Sequence, residues 1–286
     1  MLFAALRNTN FYLRIVKNAH CSFFAILSFL SSTSRSLIGV TALLLLLTGC
    51  PNRVVRKYTP PGFNYLPTSQ DPAVVAHTHF VLSYSEAHEQ AEWVAYELTP
   101  EEVRVNIARD GNFREDPDVP TGSATLNDYR GSGYDRGHLA PVGDMNFDAV
   151  AMEESFFMSN ISPQDPSFNG GIWSRLENQV RDWAAEKNGL YVVTGPVLGS
   201  SDRAIGDNQV TVPNFFFKVL LDERGSDSRM IGFMLPNRAS REDLSTFVEK
   251  VDNIEAYTGI DFFPVLPDSL EEKLEREVSS EEWFTK

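Results

Sequence analysis

The sequence predicts an α+β domain, and three observations carry that prediction. Runs of aromatic and β-branched residues bounded by turn residues recur from about Thr78 onward. One long segment, 169–188, has its apolar residues at three- and four-residue spacing. The order is strand-rich with helices inserted, without internal repeat, rather than a regular strand–helix alternation.

The first 49 residues stand apart from the fold. They contain Arg7, Arg14, Lys17 and Arg35, no acidic residue, and the apolar run "LIGVTALLLLLTGC". That run is too short for a membrane span of ~20 residues and reads as a leader removed during export. "LTGC" resembles the bacterial lipobox, which makes Cys50 the expected lipidation site and places the protein outside the cytoplasm, anchored to a bacterial membrane. Cys21 and Cys50 are the only cysteines, so a chain starting at Cys50 has no intramolecular disulfide and depends on its core. Residues 50–72, rich in proline and polar residues, read as a tether.

The expected domain covers 73–286. "HFVLSYSE" and "EWVAYEL" are expected strands, and 100–133 is dense in Gly, Pro, Asp and Asn, hence mostly loop. "FDAVAMEESF" reads as a short helix, and "FFMSNISPQ" as a strand running into a turn. In 169–188, Ile172, Trp173, Leu176, Val180, Trp183 and Ala184 share one helical face. "LYVVTGPVL", "VTVPNFFFKVLLD" and "RMIGFMLP" are strong strands. Residues 241–259 are expected as one helix, with Asn237 and Ser240 as caps. The acidic tail from Pro267 is expected to end in a loosely packed helix.

The formal charge is −14. Less the four positive charges of the leader, the remainder carries −18, which repels nucleic acid at long range. A polyanionic substrate then needs a local basic groove or a bound cation. The sequence holds no Walker A run, HExxH, zinc cysteine cluster or Gly-x-Ser-x-Gly elbow.

Chemistry concentrates in "YDRGHLAP". His138 titrates near working pH and can activate water. Arg136, two residues earlier, lies on the same side of an extended strand, and Gly137 permits close approach of a backbone or phosphate. Downstream, Asn169 precedes two glycines and the amphipathic helix. Its side chain can cap that helix or, as an amide carbonyl, ligate a hard cation such as Mg²⁺. Glu177 can pair with Arg181 four residues on or hold a water on that cation.

Together, "GSGYDRGHLAP", "FFMSNISPQ…FN" and "W…LE" resemble the DNA/RNA non-specific endonucleases, with later stretches such as "VPNFFFKVLLD" and "TGIDFFPVLPD" similar in kind. The resemblance runs from about His77 to Leu270. It implies a ββα-metal (His-Me finger) fold with a mixed, mainly antiparallel sheet. It also implies a Mg²⁺-dependent endonuclease, Mn²⁺ serving as alternative, that cuts DNA and RNA without sequence preference. By it, His138 is the general base, Asn169 the metal ligand, Glu177 a group on a metal-bound water, and Arg136 a phosphate clamp. An upstream arginine is also implied: Arg109 in "ARDGNFREDP", with Arg114 as its rival. Asp135 is expected to pair with a nearby arginine, and Lys218 stays outside the catalytic set. Homodimers occur among such proteins, although one sequence shows no interface. Two rival functions remain: a catalytically inactive binding lipoprotein of the same fold, and a phosphodiesterase on small phosphate esters.

Overall fold

The computed structural model describes residues 65–68, 73–199, 201–278 and 280–284. The leader, Cys50 and most of the proposed tether lie outside the described residues. The strands are β1 (Val74–Ala76), β2 (Val81–Ser85), β3 (Gln90–Leu98), β4 (Asp135–His138), β5 (Ile161–Gln164), β6 (Leu190–Pro196), β7 (Ala204–Ile205), β8 (Val210–Thr211), β9 (Phe215–Asp222), β10 (Arg229–Pro236) and β11 (Val248–Glu249). The α-helices are α1 (Pro100–Arg104), α2 (Leu126–Tyr129), α3 (Val142–Met145), α4 (Ala149–Ser155), α5 (Ser174–Lys187), α6 (Val251–Thr258), α7 (Asp268–Arg276) and α8 (Ser280–Phe284).

A seven-stranded sheet in the order β1-β2-β3-β6-β9-β10-β11 forms the centre, and each of its pairings is antiparallel. Both faces are covered, which explains why β9 reads "FFFKVLLD" with seven of its eight residues buried. Phe216 and Leu220 join Trp173, Leu176, Val180 and Trp183 in one core. Phe217, Val219 and Leu221 join Ile254, Phe262 and Leu274 in the other. The pleat therefore assigns alternate residues of one strand to α5 on one side and to α6 and α7 on the other. Lys218 falls on the α5 side.

The strands β4 and β5 form a separate antiparallel ribbon, with His138 opposite Ile161 and Asp135 opposite Gln164. A small core under it contains Tyr129, Met158, Ile161, Val210 and Val212. The ribbon ends where Asn160 takes over. Its Oδ1 accepts from Ala140 N at 2.9 Å, while its Nδ2 donates to Ala140 O and Ser155 O at 2.9 and 2.8 Å. Pro141 follows as the residue that opens α3.

Several expectations change. The expected loop over 100–133 contains α1 and α2, both opened by capping boxes, at Thr99/Glu102 and Thr125/Asp128. The single helix expected over 241–259 is a 3₁₀ turn (Leu244–Phe247), then β11, then α6. Asn237 is no cap: it accepts from Asp165 N and donates to the carbonyls of Pro163 and Pro213. Ser240 Oγ accepts from the nearby Glu242 N. The terminal helix is docked rather than loose, since Trp283 is 3% exposed and its carbonyl accepts from Trp183 Nε1 at 2.8 Å. Within the stretch read as tether, Tyr65 stacks on Tyr191 and Thr68 O accepts from Trp93 Nε1 at 3.0 Å.

Candidate active site

His138 closes β4 with its ring set between Phe113, at 5.4 Å between centroids, and Phe156, at 5.2 Å and perpendicular. Its Nε2 is buried and has no hydrogen-bond partner among the described residues. Arg136, exposed on the same strand, lays its guanidinium over the Phe113 ring at 4.6 Å. The two side chains thus lie on one side of β4, as the two-residue spacing requires. Arg109, also exposed, lies over the Phe156 ring at 5.0 Å. Burial pushes the His138 imidazole down to about 3, and the charges of Arg109 and Arg136 add to that shift. Two cations and an unpartnered imidazole nitrogen therefore meet over one aromatic floor.

Position separates Arg109 from Arg114. Arg114 donates to Glu153 Oε1 and to the Glu153 carbonyl, both at 3.1 Å, and stacks on Phe157 at 4.3 Å. It fastens the loop and does not enter the His138 environment. That loop is held from below: buried Asp116 meets His77 Nε2 at 3.1 Å and accepts from Ser159 Oγ at 2.5 Å.

Gly137 has a different use from the one expected. A Cβ there would strike the Gln164 side chain on the paired strand. The close approach that glycine permits is thus by Gln164. The Gln164 amide is buried with neither end hydrogen-bonded among the described residues, and the sequence reading passed over it.

Asn169 does not sit on the helix it was expected to start. It belongs to a turn, Phe168–Trp173, broken at Gly171 (φ −114°, ψ −110°), and α5 begins only at Ser174. Asn169 and Glu177 therefore do not lie on one continuous helix. The amide is fixed otherwise. Asn169 N donates to Asp165 O at 2.9 Å, and its Nδ2 donates to Asp135 Oδ2 at 2.9 Å. Asp135 thus orients Asn169, and no arginine among the described residues pairs with it. The contact commits the NH₂ end, so the carbonyl Oδ1 is the end left to ligate a cation.

Glu177 does not pair with Arg181 either. Arg181 Nη1 donates to Asp144 Oδ1 at 2.6 Å, and Tyr96 Oη donates to Asp144 Oδ2 at 2.7 Å. Beside this network stands Lys218, 1% exposed, its Nζ over the Trp173 ring at 4.9 Å and without a hydrogen bond among the described residues. Burial raises the Glu177 carboxyl above its usual range while Lys218 pulls it back. Burial likewise lowers the Lys218 ammonium, and Glu177 opposes that. No hydrogen bond or ion pair joins Glu177 to His138 or Asn169 among the described residues. A charged residue in an apolar strand is the available signal for Lys218, and it fits a core-edge or a substrate-side cation equally.

The model of the DNA/RNA non-specific endonucleases matches residues 63–269. The chain belongs to that family. Relatives include Nuclease C1 of Cunninghamella echinulata var. echinulata, 36% identical over 65% of this chain and 81% of that protein. Human mitochondrial endonuclease G is 34% identical over 73% and 72%. A crystal structure of an EndoG/EndoGI complex, which concerns EndoG inhibition, superposes with a TM-score of 0.65 at 32% identity, covering 71% of this chain and 89% of that one. The endonuclease is thus a phosphodiester hydrolase with the mixed α+β, mainly antiparallel fold of the ββα-metal nucleases, and its ββα unit is β4, β5 and α5.

Proposed function

We propose that this endonuclease hydrolyses DNA and RNA without sequence preference, depends on Mg²⁺ with Mn²⁺ as substitute, and uses His138 as its general base. The observation that carries the reading is the unpartnered, buried His138 Nε2 between two arginines that converge on its aromatic floor. Burial is the main reason the imidazole is held down, and a phosphodiester between Arg109 and Arg136 offsets the two charges that add to it, so substrate binding removes the electrostatic part of that shift.

His138 Nε2 then accepts a proton from the attacking water, and Arg136 and Arg109 stabilise charge on the phosphoryl oxygens. Asn169 fits a hard cation, because Asp135 fixes the amide and leaves its oxygen as the free donor. Glu177, whose ionised form Lys218 favours against burial, is the second oxygen group we assign, acting through a bound water. The ion, when bound, supplies Lewis-acid polarisation of the phosphate and help for the departing oxygen. Contacts to phosphate rather than base edges account for low sequence preference. We further propose export and lipid anchoring at Cys50.

The test is nicking of supercoiled plasmid, with and without Mg²⁺, beside His138→Ala. Loss of roughly 10²–10⁴-fold in the variant is expected. Wild-type rates in His138→Ala would remove the base assignment. Turnover of a small aryl phosphodiester without plasmid cleavage would favour the small-ester reading, and no turnover of either the inactive binding protein.

A further inference from the structure

We propose that Arg203 binds the phosphate adjoining the scissile one on the same strand, an inference that rests on the nuclease reading above. Tyr134 stands two residues before Arg136 and four before His138, so the alternation of β4, carried back to Tyr134, turns all three side chains to one side. At about 3.3 Å per residue, each of these steps covers about 7 Å along the strand. Tyr134 and Phe113, the ring beneath Arg136, both pack against the small core that holds Ile161. The Tyr134 hydroxyl accepts from Arg203 Nη1 at 2.9 Å. Arg203 thus takes the third place in a row that begins at His138 and passes through Arg136.

The guanidinium is aimed but not neutralised. Arg203 is exposed, and its Nη2 donates to Asn214 Oδ1 at 3.1 Å. Both of its acceptors are therefore uncharged. No carboxylate pairs with it among the described residues, whereas six other arginines each reach one within 4.0 Å. In a chain of formal charge −14, that contrast marks Arg203 as a cation kept for an outside anion. Its backbone is held as well. Arg203 O accepts from Val212 N at 2.8 Å, Arg203 N donates to Ser201 Oγ at 3.2 Å, and Ile205 is buried in the same small core.

A planar guanidinium with N–H donors to spare suits phosphate oxygens, and two fixed hydrogen bonds cut the entropy lost when one binds. Arg109 and Arg136 converge on the environment of the base, so the phosphate under attack belongs to them. Arg203 lies beyond Arg136 on the side away from His138 and takes the next phosphate along the strand. The row supplies the local basic groove that an acidic chain needs to hold a polyanion. Because the contact is to phosphate, it sets the register of the strand without reading its bases.

The experiment compares plasmid nicking by the full chain, Arg203→Gln and Arg276→Gln over a range of salt at fixed Mg²⁺. Arg276 lies on α7, which packs on the sheet face opposite α5, so its variant removes the same charge without touching the row. Arg203→Gln should raise KM roughly 3- to 10-fold with a much smaller change in kcat. It should also flatten the slope of log(kcat/KM) against log salt by about 0.9, the share of one phosphate contact. Arg276→Gln should follow wild type. An Arg203→Gln profile that overlays wild type, or an equal change in Arg276→Gln, would overturn the proposal. A loss confined to kcat would overturn it too, by placing Arg203 at the reacting phosphate. Wild type that nicks no plasmid would instead remove the nuclease reading, and this proposal with it. Should Arg203→Gln not fold, the wild-type chain decides. In EDTA, a duplex oligonucleotide should slow phenylglyoxal modification of Arg203 but not of Arg276, followed by peptide mass spectrometry. Equal modification of Arg203 with and without the oligonucleotide would refute the site.

Discussion

Asn169 Nδ2 donates to Asp135 Oδ2 at 2.9 Å, joining the turn before α5 to the first residue of β4. The bond runs between the two segments that carry the proposed metal ligand and the proposed base, so Asp135 ties the position of one to the strand of the other. Removing the carboxylate with Asp135→Ala frees the amide to rotate and expose NH₂ where the oxygen is needed. The half-saturating Mg²⁺ for plasmid nicking should rise roughly 10- to 100-fold, the usual cost of losing a partner that orients a metal ligand. A Mg²⁺ titration that overlays wild type would show that Asp135 does not act through Asn169.

His138 makes a prediction about acid. In the folded chain burial and two arginines hold it near 3, whereas unfolded it titrates near 6.5. Below about 6.5 the unfolded chain takes up a proton that the folded chain refuses. The residue therefore costs stability progressively as pH falls from about 6.5 towards 3, and adds no pH dependence above that window. His138→Phe should unfold at lower pH than wild type, followed by tryptophan fluorescence. NMR titration of the wild-type imidazole near 6.5, or an unchanged acid midpoint, would contradict the burial argument.

What the sequence made legible was local. The residues of β9 and the apolar face of α5 announce themselves because their periods match their elements. The side shared by Arg136 and His138 also held, since residues two apart on one strand must share a side. What failed depended on partners distant in the chain. Val248 and Glu249 become a strand only because Phe233 and Gly232 leave an open edge beside them, and helical periodicity cannot register that edge. Asn237 reads as a cap until Pro163, Asp165 and Pro213 arrive around it. Asn169 falls in a segment whose apolar spacing predicts one helix, whereas Gly171 breaks the turn before α5 begins. The capping boxes at Thr99 and Thr125 are a different matter: "TPEE" and "TLND" carried the signal locally, and loop-rich surroundings obscured it.

The two arginines of the upstream loop should separate in their effects. Arg109 stands over Phe156, the ring that also meets His138, while Arg114 is engaged with Glu153 and Phe157. Arg109→Ala is expected to lower kcat roughly 10²–10³-fold, as loss of one transition-state donor does, with its melting temperature unchanged. Arg114→Ala should lose a surface ion pair of ~0–1 kcal/mol and some stacking, so it melts slightly earlier and retains most activity. Reversed effects would move the catalytic assignment to Arg114.

Lys218 offers the sharpest test of Glu177. The ammonium is buried, has no hydrogen bond among the described residues, and opposes the rise that burial imposes on Glu177. Lys218→Met keeps the volume and removes the charge, so Glu177 should hold its proton to still higher pH. If ionised Glu177 is needed for nicking, the acidic limb of the pH–rate profile moves upward in the variant, and activity recovers towards wild type at alkaline pH. In a Glu177→Gln background the same substitution should leave the profile where it was, because no carboxylate remains for the lysine to influence. A uniform loss at every pH would instead make Lys218 a packing residue, and a shift that persists without Glu177 would assign its effect to Asp144.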